Sequence, residues 1–202
     1  MAQSKSKNAQ SSIRIIGGEW RGRKLPVLDE DGLRPTQDRV RETVFNWLSF
    51  HLAGAQAVDL FAGTGALGLE ALSRGAGAVA FVDTNRRAVQ ALTQNLTLLK
   101  DKNGQVHCST AQQWLSQQAD NSIDLVFMDP PFGKGLCQEL LSSDALLRVL
   151  KPGAKIYVER EKSVILSTPF QLLKEKSTGS LTYSLFECTL PSVKSDSLQR
   201  LD

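Results

Sequence analysis

The stretch VDLFAGTGALG, from Val58 to Gly68, decides the fold. An apolar run, predicted as a strand, leads into Gly63, Gly65 and Gly68, which have the spacing G-x-G-x-x-G. Glycines at a strand-to-helix junction permit a tight turn and let a ligand approach the backbone where the helix begins. The stretch therefore predicts a ligand-binding α/β fold, although the spacing alone suits more than one nucleotide cofactor.

Strand-like and helix-like segments alternate from this point onward. The predicted strands are Ala57–Phe61, Val79–Asp83, Gln105–Ser109, Ile123–Met128 and Ala154–Glu159, and the predicted helices are Ala66–Ser73, Arg86–Leu99, Ala111–Gln118 and Leu136–Leu150. A final hairpin is predicted from Phe170–Lys176 and Leu181–Leu190. The alternation predicts a Rossmann-like α/β fold, a mostly parallel seven-stranded sheet with helices on both faces and an antiparallel C-terminal hairpin.

The segments outside the alternation suggest a division of the chain. Residues 1–12 are polar and predicted to be a disordered tail. Residues 13–54 form a predicted N-terminal extension, with a hairpin turning at Gly17-Gly18 and a helix from about Thr36 to Leu52. Residues 55–190 form the predicted α/β domain, and 191–202 form a polar tail.

Composition limits the classes of protein that the chain can belong to. Its three cysteines have no CxxC spacing, so neither a disulfide framework nor a metal site is predicted. No apolar run approaches the roughly 18 residues of a membrane span, and the first residues lack the apolar core of a signal peptide. We therefore expect a cytoplasmic bacterial protein, and the absence of a coiled coil favours a monomer.

The basic residues are unevenly distributed. Residues 1–41 contain nine Lys/Arg and five Asp/Glu, whereas the remaining 161 residues contain 15 and 16. A cationic surplus confined to one end favours a polyanionic partner, although a solvated surface would give the same count.

Two carboxylates narrow the choice of cofactor. Asp59 lies four residues before Gly63, where it would repel a pyrophosphate and attract an ammonium group. Asp83 ends the next predicted strand, where an acid can bind both hydroxyls of a ribose. S-adenosylmethionine carries an amino acid and a ribose, so the pair favours that cofactor.

The motif Asp-Pro-Pro-Phe, residues 129–132, follows the predicted strand Ile123–Met128. Proline cannot continue a strand ladder, so the chain leaves the sheet here. Asp129 and the carbonyl of Pro130 can accept hydrogen bonds from a planar amine, Pro131 stiffens the turn, and Phe132 can stack on a base. Such a turn orients the lone pair of the amine without forming a covalent intermediate.

These motifs resemble those of a known family. VDLFAGTGALGLEALSRGA and DPPF are similar to class I S-adenosylmethionine-dependent N-methyltransferases, and GGEWRGRKL with RPTQDRVRE resembles the RsmD family of bacterial 16S rRNA (guanine(966)-N(2))-methyltransferases. The resemblance covers about residues 13–190. It implies methyl transfer to the N2 amine of a guanine in 16S rRNA, within a 30S subunit or an assembly intermediate.

The resemblance also implies roles for individual residues. The catalytic turn would comprise Asp129, Pro130, Pro131 and Phe132. The cofactor would contact Asp59, Phe61, Gly63, Gly65, Asp83, Thr110 and Ala111. Thr110 is included because the acid that often follows the third strand in such enzymes is missing here. The RNA would contact Arg21, Arg23, Lys24, Arg34, Thr36 and Arg39.

Three alternatives remain open from the residues alone. A DNA or RNA adenine-N6 or cytosine-N4 methyltransferase uses a similar turn, but the 54 residues before the α/β domain leave little room for a sequence-reading domain. A nicotinamide-dependent oxidoreductase shares the glycine spacing, yet the only histidines, His51 and His107, are more readily interpreted as structural. A non-catalytic RNA-binding protein is the third alternative.

Overall fold

The computed structural model of the protein describes residues 11–27 and 38–189. Most of the predicted N-terminal tail, the predicted C-terminal tail and the predicted start of the first helix lie outside these residues. Within them, the strands are β1 Ser12–Arg14, β2 Lys24–Pro26, β3 Gln56–Asp59, β4 Ala78–Asp83, β5 Gly104–Cys108, β6 Ile123–Met128, β7 Leu150–Glu161, β8 Gln171–Thr178 and β9 Leu181–Glu187. The helices are α1 Asp38–Trp47, α2 Ala66–Ser73, α3 Arg86–Leu99, α4 Ala111–Ser116, α5 Leu136–Leu141 and α6 Asp144–Val149.

Seven of the strands form one sheet in the order β5-β4-β3-β6-β7-β9-β8. The first five strands of this order are parallel, and β9 and β8 complete the sheet antiparallel. The predicted fold class is confirmed. No helix among the described residues is long and apolar enough to cross a membrane.

Three predicted boundaries were wrong. The single helix expected over Leu136–Leu150 is two helices, because Ser143 caps α6 through its side chain, which accepts from Leu146 N, and so starts a new helix. Helix α1 ends at Trp47, although Leu48 and Leu52 remain buried beyond it. The strand expected over Ala154–Glu159 is longer, because β7 spans Leu150–Glu161 and contains an irregularity, pairing with β6 through Leu150 and again from Lys155.

Helices cover both faces of the sheet. The first face carries α1, α2 and α3, which pack with Phe81 and Phe127 in one apolar core. Phe45 of α1 contacts Phe127 of β6, with 5.8 Å between the ring centroids. The opposite face carries α4, α5 and α6 over Val58, Val82 and Val126. Because side chains alternate along a strand, Asp59, Phe81 and Phe127 belong to the first face.

The N-terminal segment packs firmly against helix α2. The fully buried carboxylate of Glu70 accepts hydrogen bonds from Ile16 N and Gly17 N, each 2.8 Å long. Ser73 accepts from Trp20 N at 2.9 Å, and its backbone oxygen would lie 1.8 Å from a Cβ placed on Gly18. The predicted Gly17-Gly18 turn is therefore wrong as a hairpin turn: β1 and β2 do pair, but these glycines permit close contact with α2.

Candidate active site

The predicted catalytic and cofactor-binding residues lie at the edge of the sheet formed by the carboxyl ends of the parallel strands. Strand β3 lies between β4 and β6, so the chain crosses from one side of β3 to the other there. In register, Asp59 is beside Phe81 of β4 and beside Phe127 of β6. Asp83 ends β4 and Asp129 follows β6, so both lie at the same edge as Asp59. Ligands of open α/β sheets bind at this kind of switch point.

The glycine loop connects β3 to α2 as predicted, but Gly65 and Gly68 permit close packing within the protein as well as the approach of a ligand. Gly65 caps α2 with φ of 77°, a left-handed conformation that favours glycine. A Cβ there would lie 2.6 Å from Leu92 Cδ1, so the close neighbour of Gly65 is the protein itself. A Cβ on Gly68 would lie 2.2 Å from the ring of Phe81, which shows that this glycine brings α2 close to β4.

Asp59 is a buried carboxylate with one oxygen unused. Its Oδ2 accepts a hydrogen bond of 3.1 Å from Gly68 N, at the start of α2. Its Oδ1 is buried and has no hydrogen-bond partner among the described residues. Burial raises the pKa of Asp59 to about 7; the charges of Asp83 and Glu159 add to this effect, and the backbone N–H groups of Gly68 and Phe61 oppose it. An unpaired buried acceptor fits a cationic ligand group, which would supply the missing partner.

Asp83 holds the glycine loop in place. Its Oδ2 accepts from Gly63 N at 2.7 Å and its Oδ1 accepts from Asn85 N at 2.8 Å. Each carboxylate oxygen can accept more than one hydrogen bond, so both retain capacity for a diol. Asp83 therefore makes a structural contact that sequence reasoning missed, and it retains acceptor capacity for the predicted ribose contact.

The remaining predicted cofactor residues border the same edge. Phe61 is half-buried immediately before the glycine loop. Thr110 caps α4 by accepting from Gln113 N at 3.2 Å, so its hydroxyl keeps a proton that it can donate. Ala111 is buried beneath it. The backbone of Ser109 donates to Asp83 O, which ties this segment to the end of β4.

The Asp-Pro-Pro-Phe turn leaves the sheet beside Asp59. Asp129 is half-buried and Pro130 is buried, whereas Pro131 is exposed and Phe132 is 39% exposed. Burial, together with the negative charges of Glu159 and Asp59, raises the pKa of Asp129 well above its ordinary value. The turn thus presents an acid and an aromatic ring side by side at the edge of the site.

Sequence analysis missed two further polar residues of this edge. Tyr157 is fully buried on β7 and donates a hydrogen bond of 2.7 Å to Glu159 Oε1. Glu159 is 4% exposed, although acids are rarely buried so completely. The signal available in the sequence was the run IYVERE, in which a tyrosine and an acid two residues apart must share one face of a strand.

The predicted RNA-contacting residues are only partly brought together. Arg21 and Arg23 are exposed on the connection between β1 and β2, Lys24 is exposed at the start of β2, and Arg39 is exposed on α1. Arg34 and Thr36 lie outside the described residues. Arg23 donates to Leu98 O near the end of α3, a helix that starts beside Asp83 and is about 20 Å long. Arg23 therefore lies near the end of α3 that is away from the glycine loop, whereas β2 runs back toward the loop, so that Pro26 and Val27 line a small pocket with Gly63 and Thr64.

A separate cavity of about 450 Å³ opens at the other edge of the sheet. It is lined by His51, Lys151 and Lys155 among others. Lys151 pairs with Asp124 and Lys155 pairs with Glu187, so these cations already have partners. The cavity lies beyond the amino ends of β3 and β6, and none of the predicted site residues within 11–27 and 38–189 lines it.

The acids at the active-site edge suit a ligand that brings positive charge together with a ribose diol. S-adenosylmethionine brings both, and the strand order is that of the proteins that use it for methyl transfer. The protein is a class I S-adenosylmethionine-dependent methyltransferase.

Comparison with known proteins defines its family. The model of a family described as Conserved hypothetical protein 95 matches residues 13–187. The ribosomal RNA small subunit methyltransferase D of Haemophilus influenzae is 44% identical over 192 residues, which cover 93% of this chain and all of the relative. The protein of the same name from Escherichia coli K12 is 46% identical over 183 residues, covering 89% and 92%. The structure of Escherichia coli yhhF has a TM-score of 0.79 and 43% identity, and covers 88% of this chain and 98% of that chain.

The chain belongs to this family, the RsmD family, as its motifs predicted. The comparisons therefore decide against a nicotinamide-dependent oxidoreductase and against a non-catalytic binding protein.

Proposed function

We propose that the protein methylates the exocyclic N2 amine of a guanine in 16S rRNA. The observation that carries this proposal is the position of Asp129 and Phe132, on a turn that leaves the sheet directly beside Asp59. The names of the relatives from Haemophilus influenzae and Escherichia coli support rRNA as the substrate class.

Each residue of the turn has a role in the proposed reaction. When bound, S-adenosylmethionine supplies an electrophilic methyl group. Asp129 and the carbonyl of Pro130 accept hydrogen bonds from the amine, and Phe132 stacks on the guanine. Transfer would form an N–C bond from the amine lone pair and leave the electron pair of the S–C bond on sulfur. One amine proton then leaves, and Asp129 is an acceptor within reach of it.

We further propose a division of labour along the chain. Residues 55–190 would perform the chemistry, and residues 13–54 would contact RNA through Arg21, Arg23, Lys24, Arg34, Thr36 and Arg39. The substrate would be a 30S subunit or an assembly intermediate in the bacterial cytoplasm, and the enzyme would act as a monomer. Sedimentation of the free protein tests the monomer, and comparison of naked rRNA with 30S particles tests the substrate.

Transfer of a labelled methyl group to 30S particles that lack the modification tests the proposed activity. Nuclease digestion of the labelled RNA should yield N2-methylguanosine. Label in adenosine, in cytidine or in protein would refute the proposal. The position in 16S rRNA is then read from the labelled fragment.

Substitution of the turn tests the assigned roles. Asp129→Ala should bind cofactor but lose methyl transfer by roughly 10²-fold or more, as expected for a positioned transition-state hydrogen bond. Phe132→Ala should weaken binding of the target base by about 1–3 kcal/mol, the contribution of stacking. Phe132→Tyr keeps the ring, and its methyl transfer should be almost normal. Near-normal turnover of Asp129→Ala at saturating substrate would show that the amine is held by other groups.

A further inference from the structure

The active-site edge gathers acids on one face of the sheet. Asp59 is beside Phe127 in register, and Phe127 is beside Tyr157. Because side chains alternate along strands, Glu159, two residues beyond Tyr157 on β7, points to the same face as Asp59. Asp129 directly follows the last residue of β6 and lies close enough to both acids for their charges to raise its pKa. Three carboxylates therefore lie on three neighbouring chain segments, and Asp59 and Glu159 are almost completely buried.

The contacts of these acids favour a proton among them. Tyr157 donates to Glu159, and an O–H donor stabilises a carboxylate as an anion. The negative charges of Glu159 and Asp59 raise the pKa of Asp129. Asp59 has an unpaired buried oxygen and a pKa of about 7. Like charges in apolar surroundings cannot all ionise together, so the cluster holds protons near neutral pH.

Other titratable groups face the cluster without neutralising Asp59 or Asp129. Asp83 adds negative charge near Asp59, Tyr183 of β9 lies opposite Glu159, and Cys137 of α5 donates its thiol to Glu159 O. The cations have other partners: Arg41 of α1 bonds Asp38 and Arg14 O, and Arg160 bonds Glu175, Ser184 and Val164 O. Among residues 11–27 and 38–189, neither Asp59 nor Asp129 forms an ion pair with a lysine or an arginine.

We propose that Glu159 is a positioning residue that makes the active site respond to the charge on the cofactor sulfur. In the free protein, Asp59 and Asp129 hold protons that Glu159 helps to retain. S-adenosylmethionine brings a sulfonium charge and expels these protons, which leaves Asp129 ionised to accept from the amine. The thioether product, S-adenosylhomocysteine, is uncharged at sulfur, so the acids regain protons beside it. This inference rests on the cofactor assigned above and adds a residue to its site.

The consequence is a measurable linkage between proton release and ligand identity. A ligand that binds the ionised acids more tightly gains affinity as pH rises, in proportion to the protons released. Both ligands share the ammonium, carboxylate and ribose groups, so their difference isolates the charge at sulfur. The ratio of the S-adenosylhomocysteine Kd to the S-adenosylmethionine Kd should therefore rise with pH, by up to about tenfold per pH unit for one additional proton.

Isothermal titration calorimetry of the intact protein tests this linkage. Titrations with each ligand between pH 6 and 8, in buffers of different ionisation enthalpy, count the protons released. We expect S-adenosylmethionine to release more protons than S-adenosylhomocysteine. Equal release by the two ligands in the wild-type protein would overturn the inference while leaving cofactor binding and methyl transfer intact. Failure to bind S-adenosylmethionine at all would instead remove the proposed function.

A pair of matched variants assigns the effect to Glu159. Glu159→Gln removes the charge that raises proton affinity at Asp129. The difference in proton release between S-adenosylmethionine binding and S-adenosylhomocysteine binding should therefore fall by at least half. Glu161→Gln makes the same change two residues along β7 at a more exposed position, and should leave the difference unchanged. Circular dichroism confirms that each variant is folded before it is titrated. A Glu159→Gln protein that folds and retains the wild-type difference would refute the role of Glu159.

Discussion

Replacement of Asp83 by alanine separates the structural role of this residue from its cofactor role. In the free protein, Asp83 accepts hydrogen bonds of 2.7 Å from Gly63 N and 2.8 Å from Asn85 N. Each such bond to a half-buried charged acceptor contributes about 1.5–3 kcal/mol at most, and less where water reaches the freed N–H group. We expect Asp83→Ala to lower stability by about 1–3 kcal/mol even without ligand.

The cofactor contributes a second, independent effect. If both ribose hydroxyls donate to Asp83, their loss should weaken S-adenosylmethionine binding by about 1–3 kcal/mol, or roughly 5- to 150-fold in Kd. Calorimetry under conditions in which the variant is folded measures this change. An unchanged Kd would refute the ribose contact.

Asp101 provides a matched control at the other edge of the sheet. Its Oδ2 accepts from Asn103 N at 3.0 Å and from Gly104 N at 2.6 Å, so it also holds a turn through two backbone hydrogen bonds. Asp101→Ala should therefore lower stability by a similar amount. It should leave cofactor affinity unchanged, because β5 begins there and the site lies at its far end. A loss of affinity in both variants would show that loosening the fold is sufficient to weaken binding.

Three further perturbations test separate parts of the structure. Gly65→Val should lower the melting temperature as well as abolish cofactor binding, because its φ is positive and a Cβ meets Leu92 at 2.6 Å; a variant of wild-type stability would contradict the packing role. Asp59 should make the free protein lose stability as pH rises from about 4 to 7. The pKa of Asp59 is about 7 in the folded state and 3.8 in the unfolded state, so between these values the folded state binds a proton that the unfolded state has already released. Asp59→Asn should flatten this dependence of the urea midpoint, and an identical slope in both proteins would assign it elsewhere. Replacing the exposed basic cluster by glutamine should lower the slope of log affinity for 30S particles against log salt by about one per lost phosphate contact, with melting temperature unchanged, and an unchanged slope would remove Arg21, Arg23 and Lys24 from the RNA interface.

The alternation of strands and helices could be predicted because each segment carries its own periodicity. The parallel strands are short apolar runs, and α3 combines an apolar stripe with Asn85 as its cap. The break between α5 and α6 could not be predicted from periodicity, since Leu140, Leu141 and Leu146 are all buried on either side of it. What divides them is a single capping hydroxyl, a local hydrogen bond that competes with helix continuation.

The positions of Asp83 and Asp129 in the site could be predicted from the sequence. Each acid lies at the carboxyl end of a predicted strand, and the carboxyl ends of parallel strands meet at one edge of the sheet. Glu159 also ends a predicted strand, but its contacts with the site could not be predicted because they depend on register. Glu159 lies opposite the end of β6 because β7 contains an irregularity between Leu150 and Lys155. An insertion of this kind shifts which side chains face the site, and no sequence pattern fixes its length.

The N-terminal segment shows why a structural and an RNA-binding role need not exclude each other. Strands β1 and β2 both alternate exposed, buried, exposed, so Ile13 and Leu25 enter the core while Arg14 and Lys24 face solvent. Period-two alternation separates the two functions by face within the same few residues. Removal of residues 1–26 would delete core side chains together with cations, so any loss of RNA binding would be uninterpretable. Replacing only Arg21, Arg23 and Lys24 leaves Ile13 and Leu25 in the core, because the cations and the apolar side chains lie on opposite faces of the same short strands or on the connection between them. That variant therefore separates the proposed RNA contact from the packing role of the segment.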